Sequence, residues 1–477
     1  MRRLGKLLIA VCAGLLLTVG SLHEDVAAQG SKKSGEGSAQ SRKNIDKTLR
    51  TMLRAAHVQL PDSGLSHNDA KVELGRALFF DKELGGNRDM ACATCHHPLF
   101  ATGDALSLSI GVGGDGLGAG VPSVVLPRIL GSGRELIPRN APELFNRGSV
   151  QWRSQFWDSR IEETRHGDFI TPAGALLPAG LESVLAAQAM FPVTSRAEMR
   201  GTPGENELAD IADADLQGIW GGLMLRLLDI PAYATLFADA YPGVAPEDLG
   251  FQDAANAIAA FESVAYTFLD SPFDQYLEND SNNDALADEA KRGALLFYGK
   301  AGCANCHSGS LLTDQGHHNI GIPPLGPGKG PESPLDFGRA RETGKLKDIY
   351  AFRTPPLRNV ALTGPWMHNG AYTTLGGAVQ HHLDAEQALL NYDSSQLDPA
   401  LLGEVVEDPE VIRDIAKRLD GRIRQKVDLS DNEFADLMAF LSALTSPAVA
   451  NGGLLSPQAF PLTVPSGLPV DGLAALP

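Results

Sequence analysis

Two segments of the chain repeat one pattern of apolar positions. Glu73 to Asp81 reads E-L-G-R-A-L-F-F-D and Ala290 to Phe297 reads A-K-R-G-A-L-L-F, with apolar residues three and four apart, the period of one helix face. Each run then enters a glycine-bearing turn. A longer helix is expected from Gln252 to Asp270, where Ala254, Ile258, Phe261, Val264, Ala265 and Phe268 form one stripe. Another is expected from Ser430 to Leu444, with Ser430 or Asp431 as cap and Phe434, Leu437, Met438, Leu441 and Leu444 facing inward. Strand-like alternation is scarce. The expected fold class is therefore mainly α with long loops, and the repeated run points to an internal duplication.

The segments between these runs have a different texture. Gln29 to Arg42 is rich in Gly, Ser and Lys and reads as a flexible leader. Ile110 to Gly133 contains Gly111-Val112-Gly113-Gly114-Asp115-Gly116, a dinucleotide fingerprint by letter, but no strand leads in and no helix follows, so the match is set aside. Gly321 to Pro334 and the tail after Pro447 are rich in Pro and Gly and are expected as extended surface. A boundary between two halves fits near Ser271 to Asp288.

At 477 residues, 43% hydrophobic and 21% charged, the chain has room for two or more globular domains and is unlike disordered, collagenous or multi-spanning membrane proteins. Its net charge of −18 hides an asymmetry. Met1 to Arg54 carries ten Lys/Arg against four Asp/Glu, leaving 30 against 54 for the remainder. So acidic a body suits a basic partner protein and is a poor match for nucleic acid.

Arg2, Arg3 and Lys6 precede an apolar run, Leu7 to Val19, and small residues near Ala27 and Ala28, the layout of a secretory signal peptide over 1–28 with the leader at 29–42. The run is too short for a stable membrane span. Lipid anchoring through Cys12 is disfavoured, because branched Val11 stands where a small residue is wanted. The other four cysteines form two identical units, Cys92-Ala93-Thr94-Cys95-His96 and Cys303-Ala304-Asn305-Cys306-His307. C-x-x-C-H attaches c-type haem: the thiols add to the porphyrin vinyl groups and the adjacent His sits beneath the iron. A zinc site would need the two pairs to converge across a long separation, and a redox dithiol has no use for the His. Export to an oxidising compartment agrees with haem.

With both haem signals in place, the chain resembles the bacterial dihaem cytochrome c peroxidase family, which includes the methylamine-utilisation protein MauG. The resemblance runs from Asp69 to Leu444. It is carried by Leu78 to His96, Arg139-Asn140-Ala141-Pro142, Phe156-Trp157-Asp158-Ser159-Arg160, and Ala187 to Val193 leading to Glu198-Met199. Then follow Ala260-Phe261-Glu262, the second haem motif, His318-Asn319-Ile320-Gly321, Pro356 to Thr363, and Pro365 to Gly370.

The resemblance implies two cytochrome c-like haem domains, an amino-terminal peroxidatic one over 43–270 and a carboxy-terminal electron-transfer one over 271–446, with a tail at 447–477. Position by position, His96 matches the proximal ligand of the peroxidatic haem, Gln188, Pro192 and Glu198 match its distal wall, and Trp157 the aromatic between the haems. A carboxylate suits that wall, because O–O cleavage needs a proton taken from one oxygen and given to the other.

Two departures from the pattern matter. Peroxidases of the family place a distal His after a Ser-x-Gly step; here Ser109-Ile110-Gly111 leads to Val112, which cannot ligate iron, so the first haem is expected to be open. His97 or His166 would overturn this by ligating instead. At the second haem the sixth ligand, Met in the peroxidases and Tyr in MauG, falls on His382, with His381 as the neighbouring alternative. A second imidazole should lower that iron's potential relative to Met ligation. His317, His318 and His368 are assigned structural roles. The family also holds a calcium ion between its domains, and Asn140, Thr363 and Pro365 match its oxygen-donating ligands.

The function this implies is a periplasmic peroxidase. Hydrogen peroxide is reduced at the His96 haem with electrons relayed through the His307 haem from a small redox protein such as a cytochrome c; copper proteins or quinols are alternative donors, and a homodimer is compatible. The alternatives are a MauG-like oxidase of a partner protein and a non-catalytic dihaem electron carrier. The first lacks the Tyr ligand, since Tyr372 is out of register; the second would gain nothing from a vacant iron face. The insert between Arg165 and Ala186 has no assigned role.

Overall fold

The computed structural model describes residues 44–117 and 128–472. The expected signal peptide, Cys12, the leader, and residues 118–127 of the Gly-rich stretch lie outside the described residues. Ile45–Pro477 belong to one unit, and the fold is mainly helical.

The elements that matter for the site are α1 (residues 44–55), α2 (Asp69–Phe80), α3 (Val184–Ala189), α4 (Leu216–Leu228), α5 (Phe251–Ala265), α6 (Asp288–Phe297), α7 (Leu375–Leu383) and α8 (Asp431–Ser442). Asn68 caps α2 by accepting from the Lys71 amide, and Ser430 caps α8 in a capping box with Glu433. Short strands β1 (Ser154–Gln155), β2 (Ile161–Glu163) and β3 (Phe169–Ile170) form an antiparallel sheet in that order. β4 (His317–His318) pairs antiparallel with β5 (Phe352–Arg353). Among the described residues no helix is long and apolar enough to cross a membrane.

Two helix crossings share one design. α2 packs on α5, and a Cβ added to Gly75 would lie 1.8 Å from the Ala257 carbonyl oxygen. α6 packs on α8, and a Cβ on Gly293 would lie 1.9 Å from that of Asp436. Four residues beyond each glycine a Phe meets a Phe of the partner helix, Phe79 with Phe261 at 5.4 Å and Phe297 with Phe440 at 5.2 Å between ring centres. Downstream, Asn146 and Asn359 both take positive φ. The Asn146 amide donates to the Tyr266 carbonyl and its Oδ1 accepts from the Phe268 amide; Asn359 does the same with Leu444 and Ser446.

Apolar burial is concentrated in two large clusters, and the ends of the chain cross between them. Leu49 and Leu53 of α1 are buried with Phe273, Tyr276, Phe297, Leu437 and Phe440 in the second cluster, although α1 lies within the segment expected to build the first domain. Conversely, Val449, Leu454, Phe460, Val464 and Val470 are buried in the first cluster with α2 and α5. The tail after Pro447 is therefore not the extended surface expected from its composition. It packs through short turns, one helical turn at Pro447–Ala450 and a 3-10 turn at Gly453–Leu455, and the irregular chain beyond them carries Phe460, Val464 and Val470 inward. Two finer expectations also change: Val264 is 57% exposed on α5, and Phe440, absent from the expected inward face of α8, is fully buried there.

Candidate active site

Cys92–Cys95 form one helical turn and Cys303–Asn305 a tighter 3-10 turn, so each motif presents its two thiols close together just ahead of its His. Burial pushes the Cys92 and Cys303 thiols up to about 12. His96 Nδ1 lies 3.2 Å from the Thr102 carbonyl oxygen. His307 Nδ1 lies 3.3 and 3.1 Å from those of Leu312 and Pro355. A ring N–H donated to a carbonyl fixes the tautomer and leaves the Nε2 lone pair for a metal. Burial lowers both imidazoles to about 4, so they are neutral, the ligating form. These donor sets fit c-type haem.

At the second motif His382 faces His307. Its Nδ1 lies 2.8 Å from the Ala378 carbonyl oxygen one turn back on α7, which frees Nε2. The two rings are 6.3 Å apart centre to centre. Two metal–imidazole bonds of about 2 Å, with ring centres roughly 1 Å behind their nitrogens, span about that distance. Neighbouring His381 has both nitrogens engaged, Nε2 with the Ile320 carbonyl at 2.7 Å and Nδ1 with the Tyr372 hydroxyl at 2.8 Å. Cys303, His307, His382 and Trp157 line one cavity, and Asn140, Thr363 and Pro365 line it too. The Asn140 amide nitrogen donates to the Leu106 carbonyl at 2.7 Å, which turns its Oδ1 the other way.

At the first motif Val112 is buried and its amide donates to the Glu198 carbonyl at 2.9 Å. A Cβ on the preceding Gly111 would lie 2.0 Å from the Ala197 carbonyl oxygen, so only glycine lets these two loops meet. Glu198 sits in a π-helical turn, Arg196–Arg200, close enough to Cys95 for its charge to act on that thiol. Burial raises its carboxyl, while Arg160, Lys329 and Arg139 pull the other way. Half-buried Gln188 lies on α3, and Pro192 opens the turn Pro192–Thr194 between Gln188 and Glu198. His97 is fully buried with both nitrogens engaged, Nε2 with the Asp471 carbonyl at 3.1 Å and Nδ1 with the Leu99 amide at 3.1 Å. His166 is exposed in the turn between β2 and β3. The insert that follows supplies β3 and the approach to α3.

Trp157 lies in the turn joining β1 and β2, its Nε1 donating to the Asn140 carbonyl at 3.0 Å. Its ring is 6.5 Å from that of His368, which stacks on Phe352 at 3.5 Å. His318 is held by carboxylates: burial would lower it, but Asp314 and Asp420 raise it to about 10. Cys306, the second attachment thiol of its motif, also lies close to His318 and Asp314. Two charge clusters escaped the sequence reading. Fully buried Asp158 pairs with Arg139 at 2.6 Å and with Arg160 and Lys329 at 3.2 Å. Arg147 and Arg353 sit 4.2 and 5.1 Å over the Trp152 ring, and burial together with Arg147 lowers Arg353 to about 9. The signals for the first were the Arg139-Asn140-Ala141-Pro142 and Phe156-Trp157-Asp158-Ser159-Arg160 strings; Lys329 comes from a segment read as loop.

The model of the di-haem cytochrome c peroxidase family matches residues 69–282. The methylamine utilization protein MauG of Methylorubrum extorquens is 30% identical over 316 residues, covering 66% of this chain and 68% of that protein. Cytochrome c551 peroxidase of Pseudomonas aeruginosa is 33% identical over 316 residues, covering 65% and 71%. Among solved structures, a MauG-like protein associated with microbial copper homeostasis superposes with a TM-score of 0.56 at 25% identity, over 84% of this chain and 96% of that one. The fold is also shared with the diheme peroxidase BthA of Burkholderia thailandensis, at a TM-score of 0.53, 22% identity and coverage of 85% and 91%. Paired C-x-x-C-H turns, ring tautomers suited to iron and these likenesses together make the chain a member of the dihaem cytochrome c peroxidase and MauG family, whose members are c-type haem oxidoreductases.

Proposed function

We propose that this protein is a periplasmic peroxidase with two cytochrome c-like haem domains related by duplication. It reduces hydrogen peroxide to two waters at the His96 haem, using two protons and two electrons that enter through the His307 haem. The matched helix crossings and the matched Asn146 and Asn359 corners support the duplication. The observation that carries the division of labour is an asymmetry. His382 stands opposite His307, whereas the first site has buried Val112 at the family's distal position and the half-buried Glu198 bonded to it through the backbone.

When bound, the haems supply reductive O–O cleavage at one site and one-electron relay at the other. The chain's own groups handle positions and protons. The Glu198 carboxylate takes a proton from the near oxygen of peroxide and returns it to the departing one. The Gln188 amide orients peroxide but cannot supply a proton, and Pro192 fixes the turn between the two. Trp157, held by its bond to Asn140 and lining the cavity of the second motif, acts as the aromatic relay between the haems. Asn140 Oδ1 and the Thr363 and Pro365 carbonyls, all from residues lining the cavity, would hold a calcium ion as oxygen donors. The acidic body steers a basic cytochrome donor.

Likeness to MauG favours one second reading, oxidation of side chains on a partner protein. Steady-state peroxide turnover by the as-isolated ferric holoprotein with a small cytochrome c separates the two. Fast consumption without prior reduction is expected. A long-lived oxidised haem state with negligible turnover would replace the peroxidase reading with the MauG-like one.

A further inference from the structure

The carboxy-terminal tail does more than fill the first core. It reaches the haem-attachment turn and grips it on both sides of His96. The Thr94 hydroxyl, inside the C-x-x-C-H motif, donates to Asp471 Oδ2 at 2.6 Å, and Lys82 Nζ pairs with Asp471 Oδ1 at 2.6 Å. On the other side of His96, the ring of His97 is bonded through Nε2 to the Asp471 backbone carbonyl at 3.1 Å. Asp471 is only 4% exposed. Two further contacts fix the strap: Ser466 Oγ donates to Asp81 at 2.6 Å, and the Phe460 ring packs 5.2 Å from Phe80 and 5.7 Å from His97.

His97 is also where the loop that orients His96 begins and closes. The His97 amide donates to the Gly103 carbonyl at 2.8 Å and the Thr102 amide to the His97 carbonyl at 3.0 Å. Thr102 in turn offers the carbonyl that accepts from His96 Nδ1. A continuous path therefore runs from Asp471 through His97 and Thr102 to the His96 ring. Partners at the far nitrogen of a metal-bound imidazole set its orientation and donor strength. In the second motif Asn305 and Ser308 occupy the positions of Thr94 and His97.

We propose that Asp471 is a positioning residue for the proximal ligand of the first haem: the carboxy-terminal strap clasps the Cys92–His97 turn from both flanks and sets the orientation of the His96 imidazole. This rests on the reading of His96 as proximal ligand. The test uses full-length holoprotein carrying Asp471→Ala, Asp471→Asn or Thr94→Val, and a chain ending at residue 465. The readouts are the iron–histidine stretching band of the reduced first haem, its midpoint potential, and the low-spin bands of the second haem as internal reference. All variants should retain two covalent haems. Asp471→Ala and the shortened chain should broaden and shift the first haem's band and move its midpoint, with the second haem unchanged, and Thr94→Val should do so in part. Should the shortened chain yield no holoprotein, Asp471→Ala decides, since it removes the contacts to both Thr94 and Lys82, whereas Asp471→Asn removes the charge and keeps an oxygen able to accept from Thr94. A wild-type band and midpoint in the Asp471 variants overturns the proposal, as does an equal shift at both haems, which would mean general loosening. His96→Gly in the otherwise intact chain must abolish the band; survival there means that the proximal assignment itself has failed, whatever the strap does.

Discussion

The roles of the two histidine pairs turn on which ring nitrogen is left free. His381 and His382 are adjacent on α7, about 100° apart around the helix, so only one can enter the cavity. His381 spends both nitrogens on Ile320 and Tyr372, while His382 keeps Nε2 open toward His307. Replacing His382 with Gly should convert the second haem from low to high spin in electron paramagnetic resonance; an unchanged low-spin signal excludes it as ligand. Glu198 makes a second prediction at this scale. Burial raises its carboxyl, so the carboxylate that accepts the peroxide proton exists only above that raised value. Peroxide turnover should fall as pH drops through it, with an acid limb above the ordinary glutamate range. Glu198→Gln should cost about 10²–10⁴-fold in kcat and abolish that limb. A variant that retains the limb would assign it to another group. The family register picked out both residues, but the charges around Glu198 come from Arg139, Arg160 and Lys329, brought together only by folding.

At the scale of elements, the helices that lead into the haem motifs were readable because amphipathic periodicity depends on local spacing alone. Their partners' inward faces were less so. Phe440 meets Phe273 and Phe297 at 5.1 and 5.2 Å, a contact set by how α8 lies across α6 rather than by the stripe on α8 itself. The crossing depends on Gly293, as that of α2 on α5 depends on Gly75, since each admits a facing carbonyl where a methyl would collide. Gly75→Ala and Gly293→Ala should each destabilise by about 1–3 kcal/mol or more, read as a lowered thermal midpoint of the holoprotein. Equal tolerance of Ala and Gly at both positions would show that the helices do not approach as closely as described.

Across the whole molecule, the ends of the chain are exchanged between the two cores. α1 is buried with Phe273, Phe297 and Phe440, and the tail with Phe80 and His97. Phe460→Ala should therefore cost about 3–5 kcal/mol, measured by denaturant unfolding, as for a core aromatic and unlike a surface residue. A change within about 0.5 kcal/mol would return the tail to the surface. Its Pro and Gly content correctly excluded long helices but said nothing about burial, because irregular backbone can still deliver single apolar side chains to a core.

The sequence by itself determined the haem chemistry, the family, the mainly helical class and the helices before each haem, since these are written in contiguous spacing: two thiols and a histidine within five residues, apolar positions every third or fourth. Only the tertiary structure decided which imidazole nitrogens stay free, which cations surround Asp158 and Glu198, and how the tail reaches the Cys92–His97 turn. The tail's contacts with Thr94 and His97, and that of Lys329 with Asp158, join residues far apart in the chain, and even the nearby partners of His381 and His382 depend on ring orientations that no local period records.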